Sequence, residues 1–161
     1  MEKNILLIGM PGSGKTTIGK ILSSKINLEF LDMDDFIENY SGRKIPDIFK
    51  DGEKSFRDLE SRCCEILSRK RNIVVSTGGG AVKRASNMAY FKNFKIIFIN
   101  RPLDLIFEDI NTDTRPLLNN GREKLKTLYR ERIDLYKKYC DVEILNNSDI
   151  DTVLNKIIKN I

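Results

Sequence analysis

The feature that most constrains the fold of this chain is a glycine-rich motif, GMPGSGKT, at residues 9–16. It follows a short apolar run at 5–8, which is typical of a strand buried on both faces. Helical spacing of apolar residues over 15–26 follows it. The motif has the form G-x-x-x-x-G-K-[ST], in which the glycines let backbone N–H groups surround a phosphate. The sequence therefore predicts a phosphate-binding loop between a first strand and a first helix.

The nucleotide-binding residues predicted from this motif form one continuous run: Gly12, Ser13, Gly14, Lys15, Thr16 and Thr17. The Lys15 side chain is expected to reach the β- and γ-phosphates of a nucleotide, and the Thr16 hydroxyl is expected to ligate Mg²⁺. A merely structural glycine turn is the alternative, and the position between strand and helix disfavours it.

The apolar pattern predicts short strands at 5–8, 30–31, 73–75, 96–99 and 142–145, alternating with helices. This alternation predicts an α/β fold, a three-layer sandwich with a five-stranded parallel sheet. The length of 161 residues predicts a single domain over 1–161. Helices are expected at 82–92 and 123–139, and a polar loop over 111–121.

The chain contains no histidine. Ser-His-Asp and Cys-His catalysis and His-ligated zinc are therefore excluded, and proton chemistry must rest on carboxylates, Lys, Tyr, Cys or a cofactor. The three cysteines are expected to be reduced core residues. With no segment that could span a bilayer and no signal peptide expected, the sequence predicts a cytoplasmic protein.

Two carboxylates, Asp32 and Asp34, stand at the expected end of the second strand, where alternate residues face the same way. Asp32 suits the water shell of Mg²⁺, and Asp34 suits an acceptor hydroxyl. Either could instead cap the next helix, a role that can coexist with a site role. The TGGG sequence at 77–80 ends the third strand. It predicts close approach of a ligand to bare backbone, with an ordinary tight turn as the alternative.

Charged residues supply further candidates. Arg57 and Glu60 are three apart on an expected helix, either as a surface ion pair or as an arginine held toward an anion. Arg115, in the polar loop, is placed to meet a transferring phosphoryl group. The net charge is +5, and residues 115–138, with eight basic against three acidic side chains, carry all of it. This stretch fits a solvated helix face, a nucleic-acid surface or an anionic small-molecule site.

Together these residues resemble the shikimate kinases. The resemblance covers about residues 4–145 and is carried by the segments 9–16, 30–34, 77–80 and 115–118, by Phe56-Arg57 with Glu60, and by Arg132 with Tyr136. It implies a P-loop kinase with a mobile lid at 111–122 and an acceptor-binding region over about 32–62. It also implies ATP- and Mg²⁺-dependent phosphorylation of the shikimate 3-hydroxyl, a step toward chorismate and the aromatic amino acids.

The resemblance also assigns roles. Asp34 holds the acceptor hydroxyls and acts as the base, Lys15 stabilises the transferring group, and Arg115 closes over the ATP phosphates. Thr16, with Asp32 through water, holds Mg²⁺. The shikimate-binding residues implied are Asp34, Arg57, Gly78, Gly79, Gly80 and Arg132. A monomer with a small-molecule substrate, and with no nucleic-acid or membrane partner, is expected.

The sequence departs from the family at one place. Many members carry an arginine before the lid that covers the adenine, whereas residues 104–114 here contain no basic residue and include Glu108 and Asp109. Residues 146–149 are therefore expected to supply some adenine contacts. The alternatives are a gluconate or nucleotide kinase of the same fold and a nucleic-acid-binding P-loop module, whose binding would fall steeply with salt. A GTPase is disfavoured because the Asn-Lys-x-Asp motif is missing.

Overall fold

The fold is built on a parallel β-sheet. The computed structural model describes residues 2–112 and 119–161, with side chains described for 2–110 and 121–161. Within these residues the strands are β1 Asn4–Ile8, β2 Glu29–Asp32, β3 Ile73–Ser76, β4 Lys95–Asn100 and β5 Val142–Leu145. All neighbours pair in parallel, in the order β2-β3-β1-β4-β5. The predicted α/β class and the five-stranded parallel sheet are confirmed.

The central strand, β1, positions the functional end of the sheet. Leu6 lies in register with Val75 of β3 and with Ile96 of β4. Strands β3 and β2 lie on one side of β1, and β4 and β5 lie on the other side, so the strand order reverses direction at β1. Ligands of open α/β sheets bind at the carboxyl ends of the strands beside such a point. The loop that follows β1 is therefore at the favoured place for a ligand.

Helices cover both faces of the sheet. They are α1 Lys15–Lys25, α2 Met33–Ser41, α3 Ile45–Phe49, α4 Glu53–Leu67, α5 Ala85–Tyr90, α6 Leu103–Thr112, α7 Asn119–Tyr139 and α8 Ile150–Ile158, with a 3-10 turn at Ala81–Lys83. On one face α1 and α8 pack against Leu7 and Ile97. On the other face α2, α4 and α7 pack against Leu6 and Phe98. The three-layer sandwich is confirmed, and none of the helices described is long and apolar enough to cross a membrane.

The expected position of Asp34 needs correction. It was predicted to share the end of the second strand with Asp32, but β2 ends at Asp32 and Asp34 lies in the first turn of α2. The reason is a helix cap: Asp32 Oδ1 accepts hydrogen bonds from the backbone N–H groups of Asp34 (3.0 Å) and Asp35 (3.2 Å). The cap that sequence reasoning weighed as an alternative is therefore present.

The polar loop expected over 111–121 is wrong at both ends. Helix α6 extends to Thr112 and α7 begins at Asn119. Asn119, Asn120 and Gly121 are poor residues for a helix interior, but asparagine is favoured where a helix begins. The remainder of the loop, 113–118 with Arg115, lies outside the described residues. The helix predicted over 82–92 is instead the 3-10 turn followed by α5.

Two of the three cysteines are core residues, as expected, whereas Cys140 is only partly buried. All three are free thiols, and Cys63 and Cys64 of α4 are fully buried. Burial raises the pKa of Cys63 to about 11, and it raises the pKa of Cys64 further. Both thiols are therefore protonated and unreactive near neutral pH.

Candidate active site

The loop between β1 and α1 surrounds an open pocket of about 450 Å³, called here the P-loop pocket. It is lined by the predicted run from Gly12 to Thr17, with Asp32, Asp34 and Thr77 opposite. Gly12 and Gly14 have φ angles of 78° and 94°, which residues with a side chain rarely adopt. No side chain caps the first turn of α1, so its N–H groups remain available to an anion.

Lys15 occupies the centre of the loop. Its Nζ donates hydrogen bonds to the carbonyl oxygens of Gly9 (2.8 Å) and Met10 (2.9 Å). Burial lowers the pKa of Lys15 to about 8, although the carboxylates of Asp34 and Asp32 oppose this shift. A phosphate bound in the pocket would add negative charge beside the amine and favour its protonated form.

Three oxygen atoms meet beside the loop. The Thr16 hydroxyl donates a hydrogen bond of 2.8 Å to Asp32 Oδ2 and lies 3.5 Å from Ser76 Oγ. Hard oxygen ligands of this kind suit Mg²⁺, which keeps several waters and needs few protein ligands. Sequence reasoning missed Ser76. The available signal was its place directly after the third predicted strand, whereas its register beside Asp32 is visible only in the structure.

A second pocket, of about 530 Å³, adjoins the first and is called here the arginine pocket. Asp34 lines both pockets, so it lies at their junction. Asp34 is open to the pockets yet largely surrounded by protein, and this partial loss of hydration raises its pKa, with a further contribution from Asp32. Lys15 opposes the shift. A carboxylate with a raised pKa is a stronger proton acceptor.

Arg57 enters the arginine pocket from α4, and Arg132 enters from α7. Arg57 Nη1 donates a hydrogen bond of 2.8 Å to Glu60 Oε1, and the two side chains are 11% and 1% exposed. The surface ion pair considered as an alternative is therefore wrong: Glu60 is buried and holds Arg57 toward the pocket. Burial raises the pKa of Glu60, against the opposing effect of Arg57.

The glycine run, residues 78–80, separates these groups. A Cβ atom at its first position would lie 3.1 Å from Asp34 Oδ1, and one at its middle position would lie 3.2 Å from Arg132 Nη1. At the last position a Cβ would overlap the Arg57 guanidinium. The sequence predicted close approach at this run. The structure adds that the approaching groups include the side chains of the site itself, which accounts for three consecutive glycines.

A smaller hollow of about 200 Å³ lies on the other side of the loop. There Arg101 pairs with Asp109 through Nε (2.8 Å) and donates from Nη1 to the Asn146 carbonyl (2.8 Å). Asn146 Nδ2 in turn donates to the Ser13 carbonyl at 2.9 Å. Asn146 and Ser148 of the 146–149 segment line this hollow, and their expected contacts with adenine remain a prediction. Sequence reasoning missed Arg101. Its place directly after β4, at the functional end of the sheet, was the available signal.

Comparison with known proteins agrees with this geometry. The family model for shikimate kinase matches residues 11–161. A shikimate kinase of Clostridium botulinum strain Eklund 17B is 46% identical over 160 residues, which cover 99% of this chain and 97% of the relative. The structure of a shikimate kinase from Acinetobacter baumannii in complex with shikimate has a TM-score of 0.89 and 33% identity, covering 98% of this chain and 92% of that one. A gluconokinase from Sinorhizobium meliloti shares only the fold, with 14% identity and a TM-score of 0.62 over 98% of this chain and 94% of that one. From the family match and the extent of these similarities, the chain belongs to the shikimate kinase family.

Proposed function

We propose that the P-loop pocket and the arginine pocket are the two halves of one phosphoryl-transfer site, with ATP in the first and shikimate in the second. The activity is that of the family: ATP-dependent phosphorylation of the shikimate 3-hydroxyl to shikimate 3-phosphate, a step toward chorismate and the aromatic amino acids. The observation that carries the proposal is the position of Asp34, which lines both pockets. A hydroxyl bound in one pocket would meet a phosphate bound in the other there.

The shikimate carboxylate would be bound by Arg57 and Arg132. A guanidinium matches a carboxylate with two parallel hydrogen bonds, which a lysine cannot provide. Glu60 accepts from Arg57 Nη1 and Glu53 lies 3.5 Å from its Nε, so Nη2 is the part of the fork left for a ligand. The buried Nε of Arg132 has no partner among the described residues. The glycine run 78–80 would contribute bare backbone next to both arginines.

The reaction would proceed by proton removal and in-line transfer. Asp34 accepts the proton of the acceptor hydroxyl. The oxygen of that hydroxyl forms a bond to the γ-phosphorus of ATP, and the bond from this phosphorus to ADP breaks. Lys15, drawn from the loop carbonyls to the phosphates, balances their charge. Mg²⁺, held by Thr16 and through water by Asp32, would neutralise charge on the β- and γ-phosphates.

The remaining roles rest on the resemblance. Arg115, in the 111–122 segment assigned as the lid, would supply a second cation to the transferring group. Residues 32–62 form the acceptor-binding region of a single domain spanning 1–161. The aromatic and apolar side chains of this region that line the arginine pocket, Ile45, Phe49 and Phe56, support this assignment.

An acceptor panel tests the proposed function against its rivals. ADP release should be measured with shikimate, gluconate and nucleosides at matched concentrations. We expect turnover with shikimate and little with the others. Turnover with a nucleoside or with gluconate, and none with shikimate, would contradict the assignment. A nucleic-acid-binding module would instead show binding that falls steeply with salt and survives Asp34→Asn.

A further inference from the structure

A buried tyrosine supports the glycine run from α7. Tyr136 is fully buried, and its hydroxyl donates a 2.6 Å hydrogen bond to the carbonyl oxygen of Gly79. Its ring stacks on Phe98 of β4, with centroids 5.1 Å apart and an interplanar angle of 26°. The ring is thus fixed by the core, and the hydroxyl is its polar tip. Burial raises the pKa of Tyr136 to about 12, so the hydroxyl remains a donor across the neutral range.

The same helix carries one of the two pocket arginines. Arg132 lies four residues before Tyr136, so both project from one face of α7. Arg132 Nη1 lies 3.2 Å from the position of a Cβ on Gly79, and Tyr136 binds the carbonyl of that glycine. Helix α7 therefore fixes the guanidinium and the adjoining backbone as one unit.

The hydrogen bond from Tyr136 also orients the peptide group between Gly79 and Gly80. The carbonyl of Gly79 and the N–H of Gly80 belong to one planar trans peptide, in which the two groups point in opposite directions. Holding the carbonyl against Tyr136 turns that N–H away from α7. Gly80 is the residue packed against the Arg57 guanidinium. The carbonyls of Gly78 and Gly80 accept turn hydrogen bonds from the N–H groups of Ala81 (3.2 Å) and Lys83 (3.1 Å), and the Tyr136 hydroxyl holds the carbonyl between them.

We propose that Tyr136 is a positioning residue for the acceptor carboxylate: its hydroxyl holds the 79–80 peptide so that Arg132, Arg57 and the glycine backbone form one rigid anion site. The inference rests on the proposed function, in which the arginines bind that carboxylate. Glycine has the greatest backbone freedom of any residue, so the 79–80 peptide, which lies between the two turn hydrogen bonds of the run, depends on the Tyr136 hydroxyl to present one geometry. Without the hydroxyl, the arginines would remain and the backbone between them would lose its fixed orientation.

The test is Tyr136→Phe, which keeps the buried ring and removes one oxygen. We expect the KM for shikimate to rise about tenfold, the scale of one lost buried hydrogen bond, while kcat and the KM for ATP stay within about twofold. Tyr139→Phe is the matched control, since it makes the same chemical change on the same helix at a residue outside both pockets. It should leave all three constants unchanged.

A shikimate analogue with a carboxamide in place of the carboxylate separates positioning from general loosening. If Tyr136 acts on the carboxylate site, Tyr136→Phe should weaken shikimate about tenfold and the carboxamide much less. The rise in Tm produced by saturating shikimate should also be smaller in the variant, a readout that needs no turnover. Equal penalties for the two acceptors, or equal losses for ATP and shikimate, would show a structural role only and overturn the proposal.

Arg57→Ala and Arg132→Ala test the proposed carboxylate site separately from the role of Tyr136. If both lose affinity for shikimate but not for the carboxamide, the carboxylate site stands, and Tyr136→Phe alone decides the role of the tyrosine. If neither discriminates between the two acceptors, the proposed carboxylate site is wrong, and the role of Tyr136 is overturned with it.

Discussion

Among single residues, the chemistry of this site depends on how burial changes the affinity of ionisable groups for protons. Desolvation favours the neutral form, so it lowers the pKa of Lys15 and raises the pKa values of Asp34 and Glu60. Lys15 and Asp34 face a common space and partly offset each other. In a chain without histidine, these shifts suit Asp34 to the role of base proposed for it.

Asp34→Asn tests the base. Asparagine keeps the shape of the side chain and removes the proton acceptor, so we expect turnover to fall by about 10²–10⁴-fold. Nucleotide affinity, measured by calorimetry with ADP, and the Tm should change little. Asp32→Asn is the comparison: it should chiefly raise the Mg²⁺ concentration needed for half-maximal rate. Turnover near the wild-type value in Asp34→Asn would show that the base lies elsewhere.

Among the helices and strands, most of the fold could be predicted, because buried parallel strands give continuous apolar runs and helices give a 3.6-residue period. The boundaries were less predictable. Asp34 was predicted at a strand end but lies in α2, because the hydrogen bonds accepted by the Asp32 side chain decide where that helix begins. Residues that belong to sequence motifs, such as the run from Gly12 to Thr17 and the glycines 78–80, could be predicted and do line the two pockets. Ser76 and Arg101 stand at the ends of predicted strands, which the sequence does show, but their partners follow from strand register and from the packing of separate segments, which it does not.

The α4 helix carries Arg57 and Glu60 as a unit, and this pairing predicts two separable effects. Arg57→Ala should weaken shikimate binding by about 2–5 kcal/mol, as for a buried charge pair that loses one partner, and leave ATP binding little changed. It should also lower the free energy of unfolding by about 3 kcal/mol, because the Glu60 carboxylate is left buried without its partner.

The double variant Arg57→Ala/Glu60→Gln separates these effects. It removes the unpaired carboxylate, so part of the stability should return in urea titrations while shikimate affinity stays low. Arg62→Ala is the control, since Arg62 lies on the same helix with a half-exposed side chain paired to Glu65. If the double variant regained shikimate affinity, Arg57 would serve the fold and not the substrate.

At the scale of the whole molecule, the site lies at β1, where the strand order reverses, and residues from several separate elements line its two pockets. β1 and its loop supply the P-loop pocket, while α2, α4, α7 and the run after β3 supply the arginine pocket. The stability of the molecule is therefore coupled to the charges gathered there. Lys15 provides the clearest case, because it is a charged side chain buried at the centre of the loop.

The lowered pKa of Lys15 predicts a pH-dependent stability. Between pH 8 and about 10.5 the unfolded chain holds a proton on Lys15 that the folded chain has released. The contribution of Lys15 to the free energy of unfolding should thus rise with pH across this window, by up to about 3 kcal/mol, and its destabilising effect should be fully present below pH 8. The buried thiols of Cys63 and Cys64, whose pKa values are raised, oppose this rise above about pH 9, so the Lys15 contribution is the difference between the wild type and Lys15→Met. Urea titrations of the nucleotide-free protein from pH 7 to 10.5 measure it.

Lys15→Met should lack this rise, and the exposed Lys20→Met on the same helix should keep it. Saturating ADP should diminish the rise in the wild type, because the phosphates favour the charged amine. Parallel stability curves for Lys15→Met and the wild type over this pH range would contradict the assignment.

The crowding around the glycine run has a consequence for changing the acceptor range of this enzyme by engineering. A Cβ at the first position of the run 78–80 would meet Asp34 of α2 and Glu60 of α4, one at the middle position would meet Pro11 and Arg132 of α7, and one at the last position would meet Arg57 of α4. A substitution at any of the three positions would therefore displace a side chain of the site. Ile45, Phe49 and Leu128 form an apolar wall of the arginine pocket, and none of them is among the groups that a Cβ on the run would meet first. Variants selected for new cyclic hydroxy-acid substrates should therefore accumulate changes on that wall and leave the glycines intact.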